Sequence, residues 1–318
     1  MSRVRPVTIN CIFMRVLKNI LYFCTKVAII IRLNMKSIDE LIDDLLTLAF
    51  AEDVGDGDHT TLSTIPADAK GRQRLIVKEE GILAGVEIAR RVFEKFDPSL
   101  KMTEYIGDGT RVRPGDIAFE VSGSVRSLLQ TERIMLNIMQ RMSGIATTTA
   151  RYQQKLEGLP AKVLDTRKTT PGMRLLEKMA VKIGGGHNHR IGLFDMILIK
   201  DNHVDFAGGI PQAVAAAKAY CEANGKDLKI EQEVRNTEEI MQAIEAGVDR
   251  IMLDNFTPER TVEAVRLIRE KDPAIEIESS GGITIDTLRQ YGEAGVDFIS
   301  VGALTHSVKG LDMSFKAF

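Results

Sequence analysis

Short apolar runs alternate with helical segments through the second half of the chain. From Ala161 onward each run ends in a polar residue or a glycine and leads into a segment with helical periodicity, such as 237–246. The six runs lie at residues 163–165, 196–200, 228–233, 251–254, 275–280 and 298–302. This alternation predicts parallel βα units. Six or more units favour a barrel, and the sequence shows no glycine-rich dinucleotide turn after the first predicted strand, which weakens a Rossmann interpretation.

The first half has another pattern. An amphipathic helix is predicted at residues 37–51, followed by a polar, glycine-broken loop at 52–61. Short strands are predicted at 72–78, 82–84 and 117–121, with glycine- and proline-containing turns between them. We therefore predict a small mixed α+β domain ahead of the barrel.

A long helix is predicted between these two parts, from about Ser127 to Leu156. Its buried face is defined by apolar residues at helical spacing: Met135, Ile138, Met139 and Met142. Another face of the same helix carries Arg133, Asn137 and Gln140.

Composition and charge narrow the class of protein. The 318 residues are 44% hydrophobic, 27% charged and 5% aromatic, which is typical of a soluble globular protein and argues against a repeat-rich β-sandwich. The three cysteines are too few and too scattered for a disulfide framework or a cysteine-based zinc site. The net charge of −2 gives no reason to expect a nucleic-acid partner.

Residues 1–34 differ from the rest of the chain, because they contain six Lys or Arg and no Asp or Glu. Their apolar stretch is interrupted by Arg15, Lys18 and Lys26, unlike a membrane span or a signal peptide. Ser37 and Glu40, just after Met35, form a helix-start pattern. We expect residues 1–34 to be an upstream extension outside the working protein; a membrane-anchoring or targeting role is the alternative.

Basic residues gather where the predicted barrel strands end, which is where barrel enzymes place their chemistry. These residues are Arg167, Lys168, Arg174, His189, Arg190 and Lys200. Arginine binds carboxylates and phosphates through two parallel hydrogen bonds, and lysine acts as a point charge. The group predicts a pocket for small, strongly anionic ligands.

Two acids and two glycine-containing segments end the later strands. Glu233 and Asp254 suit a Mg²⁺ ion, although they could simply balance the nearby bases. Ser280-Gly281-Gly282 and Gly302 follow the last two predicted strands, where barrel enzymes often bind a phosphate on backbone N–H groups. The residues thus predict a barrel enzyme for a phosphate-bearing anion but leave the reaction open.

Several long motifs together resemble the quinolinate phosphoribosyltransferase family, also called nicotinate-nucleotide pyrophosphorylase (carboxylating). The resemblance runs from about Met35 to the C-terminus. The motifs are Thr131-Glu132-Arg133 with Asn137, 143–147, 165–171, 184–190, 200–203, 253–256 and 280–283.

The resemblance implies an α/β fold of the type II phosphoribosyltransferase kind, with an N-terminal α/β sandwich domain and an incomplete, seven-stranded α/β barrel. On this basis we expect an unmatched extension at 1–34, a sandwich domain at 35–143, a catalytic barrel at 144–303 and a return to the first domain at 304–318. The implied protein is a cytoplasmic homodimer or higher homo-oligomer, with neither nucleic acid nor membrane as partner.

The implied reaction joins quinolinate and phosphoribosyl pyrophosphate, with Mg²⁺ as cofactor. It gives nicotinate mononucleotide, pyrophosphate and carbon dioxide in NAD biosynthesis. The implied catalytic residues are Lys168, Lys200, Glu233 and Asp254. The implied quinolinate-binding residues are Arg133 from a neighbouring subunit, Arg167, His189, Arg190 and Lys200. The implied residues for phosphoribosyl pyrophosphate are Lys168, Glu233, Asp254, Ser280, Gly281, Gly282, Gly302 and His306. Glu233 and Asp254 would also hold the Mg²⁺, directly or indirectly.

Two other functions stay open at this point. Lys200 ends a predicted barrel strand, as the lysine of a Schiff-base aldolase does, but that lysine should be desolvated. A non-catalytic nucleotide sensor or a diverged transport-associated relative is the other possibility.

Overall fold

The structure is a computed structural model that describes residues 36–318. The predictions for residues 1–34 therefore lie outside the described residues. Residues Leu48–Phe318 form one compact unit, and the described residues before Leu48 belong to another. Helix α1, Ile38–Asp53, confirms the first predicted helix. It starts with a capping box, because the Ser37 N–H donates to Glu40 Oε2 at 2.6 Å and the Glu40 N–H donates to Ser37 Oγ at 3.2 Å.

An antiparallel layer is built from the first half of the chain and its last strand. The elements before the barrel are α2 (His59–Thr64), β1 (Lys70–Val77), β2 (Gly81–Ile82), α3 (Val86–Phe96), β3 (Lys101–Glu104), β4 (Arg111–Val112), β5 (Ile117–Ser124) and α4 (Val125–Lys155). The final strand, β12 (Met313–Ala317), pairs antiparallel with β1, which gives the sheet order β12-β1-β5-β3. Strands β2 and β4 form a separate two-stranded ribbon.

Alternating residues of the layer build an aromatic core. Phe119 of β5 and Phe315 of β12 point to the same side of the sheet and meet Phe93 of α3. The three ring centroids lie 6.0–6.2 Å apart, and each side chain is buried. Strand alternation places these side chains on one face, so the apolar pattern of the strands determines this core.

The second half forms the predicted barrel units. They comprise β6 (Lys162–Leu164), α5 (Arg174–Ile183), β7 (Ile197–Ile199), α6 (Asp201–Ala207), α7 (Ile210–Ala223), β8 (Ile230–Val234), α8 (Thr237–Ala246), β9 (Arg250–Asp254), α9 (Pro258–Lys271), β10 (Glu276–Ser280), α10 (Leu288–Glu293), β11 (Phe298–Ser300) and α11 (Ala303–His306). All six predicted strands are confirmed, and every pairing between them is parallel.

The six strands form a barrel that is open between β6 and β7. The sheet runs β6-β11-β10-β9-β8-β7, so the first strand pairs with the last. On its other side β6 makes a single parallel bridge, Leu164 to His187. The predicted seventh strand is thus reduced to one pairing residue, which follows three consecutive glycines at 184–186 that weaken strand formation. The predicted fold class is confirmed.

Small and hydroxylated residues of α4 let it pack closely against the loops around it. Ser143 Oγ accepts from the Ala84 N–H at 2.9 Å, and Thr147 Oγ1 accepts from the Ile82 N–H at 2.8 Å. A Cβ at Gly144 would lie 2.2 Å from the Lys309 carbonyl oxygen. The motif at 143–147 is therefore structural. No helix within residues 36–318 has the length and apolar composition of a membrane span.

Candidate active site

A cavity of about 760 Å³ opens where the parallel strands end. Because the carboxyl ends of parallel strands meet at one end of a barrel, residues far apart in sequence converge there. All the residues predicted to bind a substrate or to act in catalysis, except Arg133, line this cavity. They are Arg167, Lys168, His189, Arg190, Lys200, Glu233, Asp254, Ser280, Gly281, Gly282, Gly302 and His306.

The loop after β6 supplies the first two cations, Arg167 and Lys168. The Thr305 hydroxyl donates to the Lys168 carbonyl oxygen at 2.9 Å and so ties the loop to α11. Arg174 Nε donates to the Thr169 hydroxyl at 3.0 Å. Arg174 is not among the residues that line the cavity, so it braces the cationic loop from behind.

A second brace reaches the same loop from α4, and the sequence analysis missed it. Arg141 Nη2 lies 2.8 Å from Glu177 Oε1 and donates to the Thr305 carbonyl oxygen at 2.5 Å. Glu177 is fully buried, and its other oxygen accepts from the Thr170 N–H at 3.2 Å. The loop is therefore held from two sides before any ligand binds.

A buried ion pair joins this loop to the next cationic segment. Lys178 of α5 donates to the carboxylate of Asp165 and, at 3.0 Å, to the carbonyl oxygen of His189. Asp165 Oδ1 also accepts from the His189 N–H at 2.9 Å. Burial raises the pKa of Asp165 to about 6, and Lys178 opposes that rise. The pair fixes the position of the backbone at His189.

Arg167 and Arg190 share one side of the cavity. Burial is the main cause that lowers the pKa of the Arg190 guanidinium, and the positive charge of Arg167 adds to it. The positive charges of two such guanidiniums repel each other, and an anion that binds both removes this repulsion. Arg190 is anchored by donating from Nη1 to the Met196 carbonyl oxygen at 3.3 Å.

His189 lines the cavity and also contacts two buried carboxylates. Its Nε2 lies 3.0 Å from Glu231 Oε2 and 3.4 Å from Glu278 Oε2, and its Nδ1 accepts from the Arg190 N–H at 2.7 Å. Burial lowers the pKa of His189, but the two carboxylates outweigh it and raise the pKa to about 9. The side chain is 6% exposed and lines the cavity, so it forms part of the cavity wall.

Glu231 and Glu278 were not predicted, although strand periodicity contains a signal for them. Glu231 and Glu233 are two residues apart in β8, so both side chains point into the barrel. Glu278 precedes Ser280 by the same interval in β10. Ligand atoms of His189, Glu231 and Glu278 lie within 4.8 Å of one another, which a metal ion could bridge. Arg250, 3.2 Å from Glu278, supplies positive charge to the cluster instead.

Lys200 faces Glu233 across the cavity mouth. Lys200 Nζ lies 3.0 Å from Glu233 Oε2, and the lysine side chain is 47% exposed. A Schiff-base lysine needs an apolar, water-poor environment, which this ammonium does not have. The ion pair therefore argues against the aldolase alternative and favours anion binding.

The two acids of the cavity fit a hard cation only with help from a ligand. One oxygen of Glu233 is paired with Lys200, and Oδ2 of Asp254 accepts from Asn255 Nδ2 at 2.7 Å. Each carboxylate therefore keeps a second oxygen, and Mg²⁺ binds oxygen atoms by preference. Because Mg²⁺ takes octahedral coordination, phosphate oxygens and water would supply the rest of its shell.

Glycines allow close approach at the other end of the cavity. Gly281 and Gly282 have φ values of +102° and +60°, which favour glycine. A Cβ at Gly302 would lie 3.0 Å from His306 Nε2 and 3.2 Å from Lys168 Cδ. Backbone free of side chains, next to a histidine and a lysine, is the environment that a phosphate needs.

Arg133 is the one residue predicted to bind a substrate that lies outside the cavity. It is exposed on α4, on the face that also exposes Asn137. It does not line the cavity of its own chain.

Fold and cavity define the class: a barrel enzyme whose cations, acids and glycine loops suit a small polyanion and a phosphorylated co-substrate. The family models for the quinolinate phosphoribosyl transferase N-terminal and C-terminal domains match residues 58–143 and 145–316. The chain belongs to the quinolinate phosphoribosyltransferase family, which confirms the resemblance.

Individual relatives agree with this membership. "Quinolinate phosphoribosyltransferase [decarboxylating] 2, mitochondrial" of Nicotiana glauca is 42% identical over 291 residues, covering 86% of this chain and 82% of the relative. "Nicotinate-nucleotide pyrophosphorylase [carboxylating], chloroplastic" of Arabidopsis thaliana is 44% identical over 285 residues, covering 86% and 81%. The crystal structure of NadC from Streptococcus pyogenes matches with a TM-score of 0.82 at 40% identity, covering 90% of this chain and all of that one.

Proposed function

We propose that this protein transfers the phosphoribosyl group of phosphoribosyl pyrophosphate to quinolinate with decarboxylation. The products are nicotinate mononucleotide, pyrophosphate and carbon dioxide, in NAD biosynthesis. One observation carries the proposal: a single cavity holds a cluster of cations on one side and two acids with two glycine segments on the other. Those two halves match a dicarboxylate and a phosphorylated sugar.

The cationic half would bind quinolinate. Its two carboxylates need two cationic partners, and Arg167, Arg190 and Lys200 line this side. His189 forms the adjoining wall and, held by two carboxylates, contributes a fixed positive charge. Lys168 lies next to Gly302, so it would stand between the two substrates.

The acidic half would bind the phosphoribosyl donor. Glu233 and Asp254 would accept hydrogen bonds from the ribose hydroxyls, and the segments at 280–282 and 302–306 would receive the 5′-phosphate. This arrangement would direct C1 of the ribose towards the cationic half, where the quinolinate ring nitrogen would meet it.

The chemistry then depends on position and charge. The ring nitrogen donates its electron pair to C1 as the C1–oxygen bond breaks, and pyrophosphate leaves with that bonding pair. The ring nitrogen becomes positive and accepts electrons when the bond to the 2-carboxylate breaks. Carbon dioxide leaves, and C2 takes up a proton. Lys168 would stabilise the negative charge on the departing pyrophosphate, and Lys200 would hold the quinolinate carboxylates, a preorganised electrostatic effect.

Turnover by the purified protein tests the proposal. Quinolinate and phosphoribosyl pyrophosphate with Mg²⁺ should give nicotinate mononucleotide, separated by chromatography. Nicotinate in place of quinolinate serves as the control and should give none, because the cationic side is built for two carboxylates. Product from nicotinate but not from quinolinate would contradict the proposed substrate. No product from either compound would contradict the proposed activity and leave a nucleotide sensor as the better interpretation.

We also propose that Mg²⁺ is the cofactor and that Glu233 and Asp254 help to hold it. The ion would neutralise the leaving pyrophosphate. Replacing Asp254 by Asn removes one negative charge next to the ribose but leaves the basic residues intact. We expect kcat/KM for phosphoribosyl pyrophosphate to fall about 100-fold and the quinolinate affinity measured by titration to stay unchanged. An equal loss for both ligands would refute this assignment.

We further propose a homodimer in which Arg133 completes the quinolinate site of the partner subunit. Its exposed position on α4, outside its own cavity, supports this arrangement. Arg133→Ala and Lys200→Ala proteins should each be inactive alone. After subunit exchange about half of the dimers are mixed, and each has one intact site, so activity should recover to about a quarter of wild type. Confirmed exchange without recovery would place Arg133 in its own subunit's function or in none.

The cytoplasmic location stays a prediction. Relatives from Nicotiana glauca and Oryza sativa are named mitochondrial and chloroplastic, respectively. Localising the full chain in its own cells would decide between the compartments.

A further inference from the structure

Asn255 has an unusual backbone conformation at the edge of the cavity. Within residues 36–318 it is the one residue other than glycine with a positive φ, at 55°. A side chain in this conformation crowds its own backbone, so the conformation persists only where surrounding contacts hold it. Asparagine tolerates it better than most residues.

Three contacts hold Asn255 in place. Its N–H donates to the Ser280 carbonyl oxygen at 2.9 Å, which joins the end of β9 to the end of β10. Its side-chain Nδ2 donates to Asp254 Oδ2 at 2.7 Å. Its Oδ1 lies 2.3 Å from the point that a Cβ on Gly281 would occupy. The amide thus fills the space between an acid and the glycine segment.

We propose that Asn255 is a positioning residue for the phosphoribosyl donor. By binding Oδ2 of Asp254 it turns the other carboxylate oxygen towards the cavity, where a ribose hydroxyl or Mg²⁺ would meet it. By packing against Gly281 it sets the position of the segment that would receive the 5′-phosphate. This inference rests on the proposed function, since it assigns the ribose-phosphate half of the cavity to the donor.

The effect should be confined to that half. Asn255 lies between the ends of β9 and β10, whereas the cations proposed for quinolinate follow β6 and β7 or belong to the 187–190 segment. None of the three contacts of Asn255 involves one of those cations. A change at Asn255 should therefore alter the use of the donor and leave quinolinate binding as it is.

Replacing Asn255 by Gly removes the side chain but keeps the backbone conformation. Glycine adopts the positive φ freely, so the turn and the bond to Ser280 remain and the melting temperature should not fall. The amide is lost, and we expect KM for phosphoribosyl pyrophosphate to rise about ten-fold, with quinolinate affinity within two-fold of wild type. Asn255→Asp keeps the shape but sets a carboxylate against Asp254, so KM for the donor should rise further.

Asn224→Gly is the matched control, because it removes an exposed amide at the end of α7 that does not line the cavity. It should leave both substrate constants unchanged. Wild-type KM for the donor in Asn255→Gly, or an equal loss of quinolinate affinity, would overturn the inference.

Direct titration with phosphoribosyl pyrophosphate and Mg²⁺ distinguishes this inference from the proposed function. If wild type binds the donor but forms no product, the proposed function fails, and the titration still compares wild type with Asn255→Gly. A ten-fold weaker affinity in the variant would support the positioning role, and equal affinity would refute it. If wild type does not bind the donor at all, both proposals fail.

Discussion

The core of the antiparallel layer is apolar, whereas the interior of the barrel contains buried charged residues. In the layer, Phe93, Phe119 and Phe315 meet in an apolar core. In the barrel, Glu231 and Glu278 are fully buried beside cationic residues. Apolar burial stabilises a fold directly, whereas a buried charge costs free energy unless its partners are well placed. The comparison teaches that the aromatic core of the layer stabilises the fold, whereas the buried charges of the barrel cost free energy and fix the groups around the cavity.

The buried ion pair Asp165–Lys178 should give the largest effect. Lys178→Met leaves the Asp165 carboxylate buried without its partner, and we expect a loss of about 3–5 kcal/mol in the free energy of unfolding near pH 8. Urea denaturation measures this loss. At pH 5, below the pKa of about 6 of Asp165, the carboxyl is largely protonated and the loss should be smaller.

Two further variants check the cause. Lys182→Met removes an exposed lysine from the same helix and should change stability by less than about 0.5 kcal/mol. The double variant Asp165→Asn/Lys178→Met removes both charges and should regain most of the stability. If Lys178→Met costs no more than Lys182→Met, the barrel interior does not depend on paired charge.

The aromatic core should respond with a smaller loss and no change in the site. Phe119→Leu keeps an apolar side chain but leaves a small cavity, for a cost of about 1–2 kcal/mol. KM values for both substrates should equal those of wild type in steady-state assays at 25 °C. A changed KM would mean that the two interiors are coupled.

The last expected effect is the slope of the free energy of unfolding with pH. Burial, with the nearby charge of Glu278, raises the pKa of Glu231 from 4.5 to about 7. Although burial lowers the pKa of His189, Glu231 and Glu278 raise it from 6.5 to about 9. Between pH 4.5 and about 7 for Glu231, and between pH 6.5 and about 9 for His189, the folded state binds a proton that the unfolded state has released. Stability should therefore fall as pH rises from 4.5 to 9, by at most about 1.4 kcal/mol per pH unit for each proton.

Denaturation midpoints at pH 5, 7 and 9 measure this slope. Glu231→Gln cannot titrate and removes a carboxylate that raises the pKa of His189, so its profile should be flatter. Glu263→Gln, a change on an exposed face of α9, should keep the wild-type profile. A Glu231→Gln profile as steep as that of wild type would show that this cluster does not set the slope.

The same contrast explains what the sequence could predict. All six barrel strands and the long helix were predicted, because apolar periodicity sets them locally. Once the strands were predicted, the cations and acids at their ends could be predicted as site residues, because parallel strands bring their carboxyl ends together. Pairing partners were not predictable: Lys178 reaches Asp165 from the next helix, and Arg141 reaches Glu177 from another element. Such contacts depend on packing between elements, which one-dimensional spacing does not encode.

The release of carbon dioxide from quinolinate labelled at the 2-carboxylate tests the central claim most directly. Wild-type protein should release one labelled carbon dioxide for each nicotinate mononucleotide formed, and only when phosphoribosyl pyrophosphate is present. Lys200→Met should lose both products together. Label retained in the nucleotide, or released without the phosphoribosyl donor, would contradict the account of the barrel as the site of coupled transfer and decarboxylation.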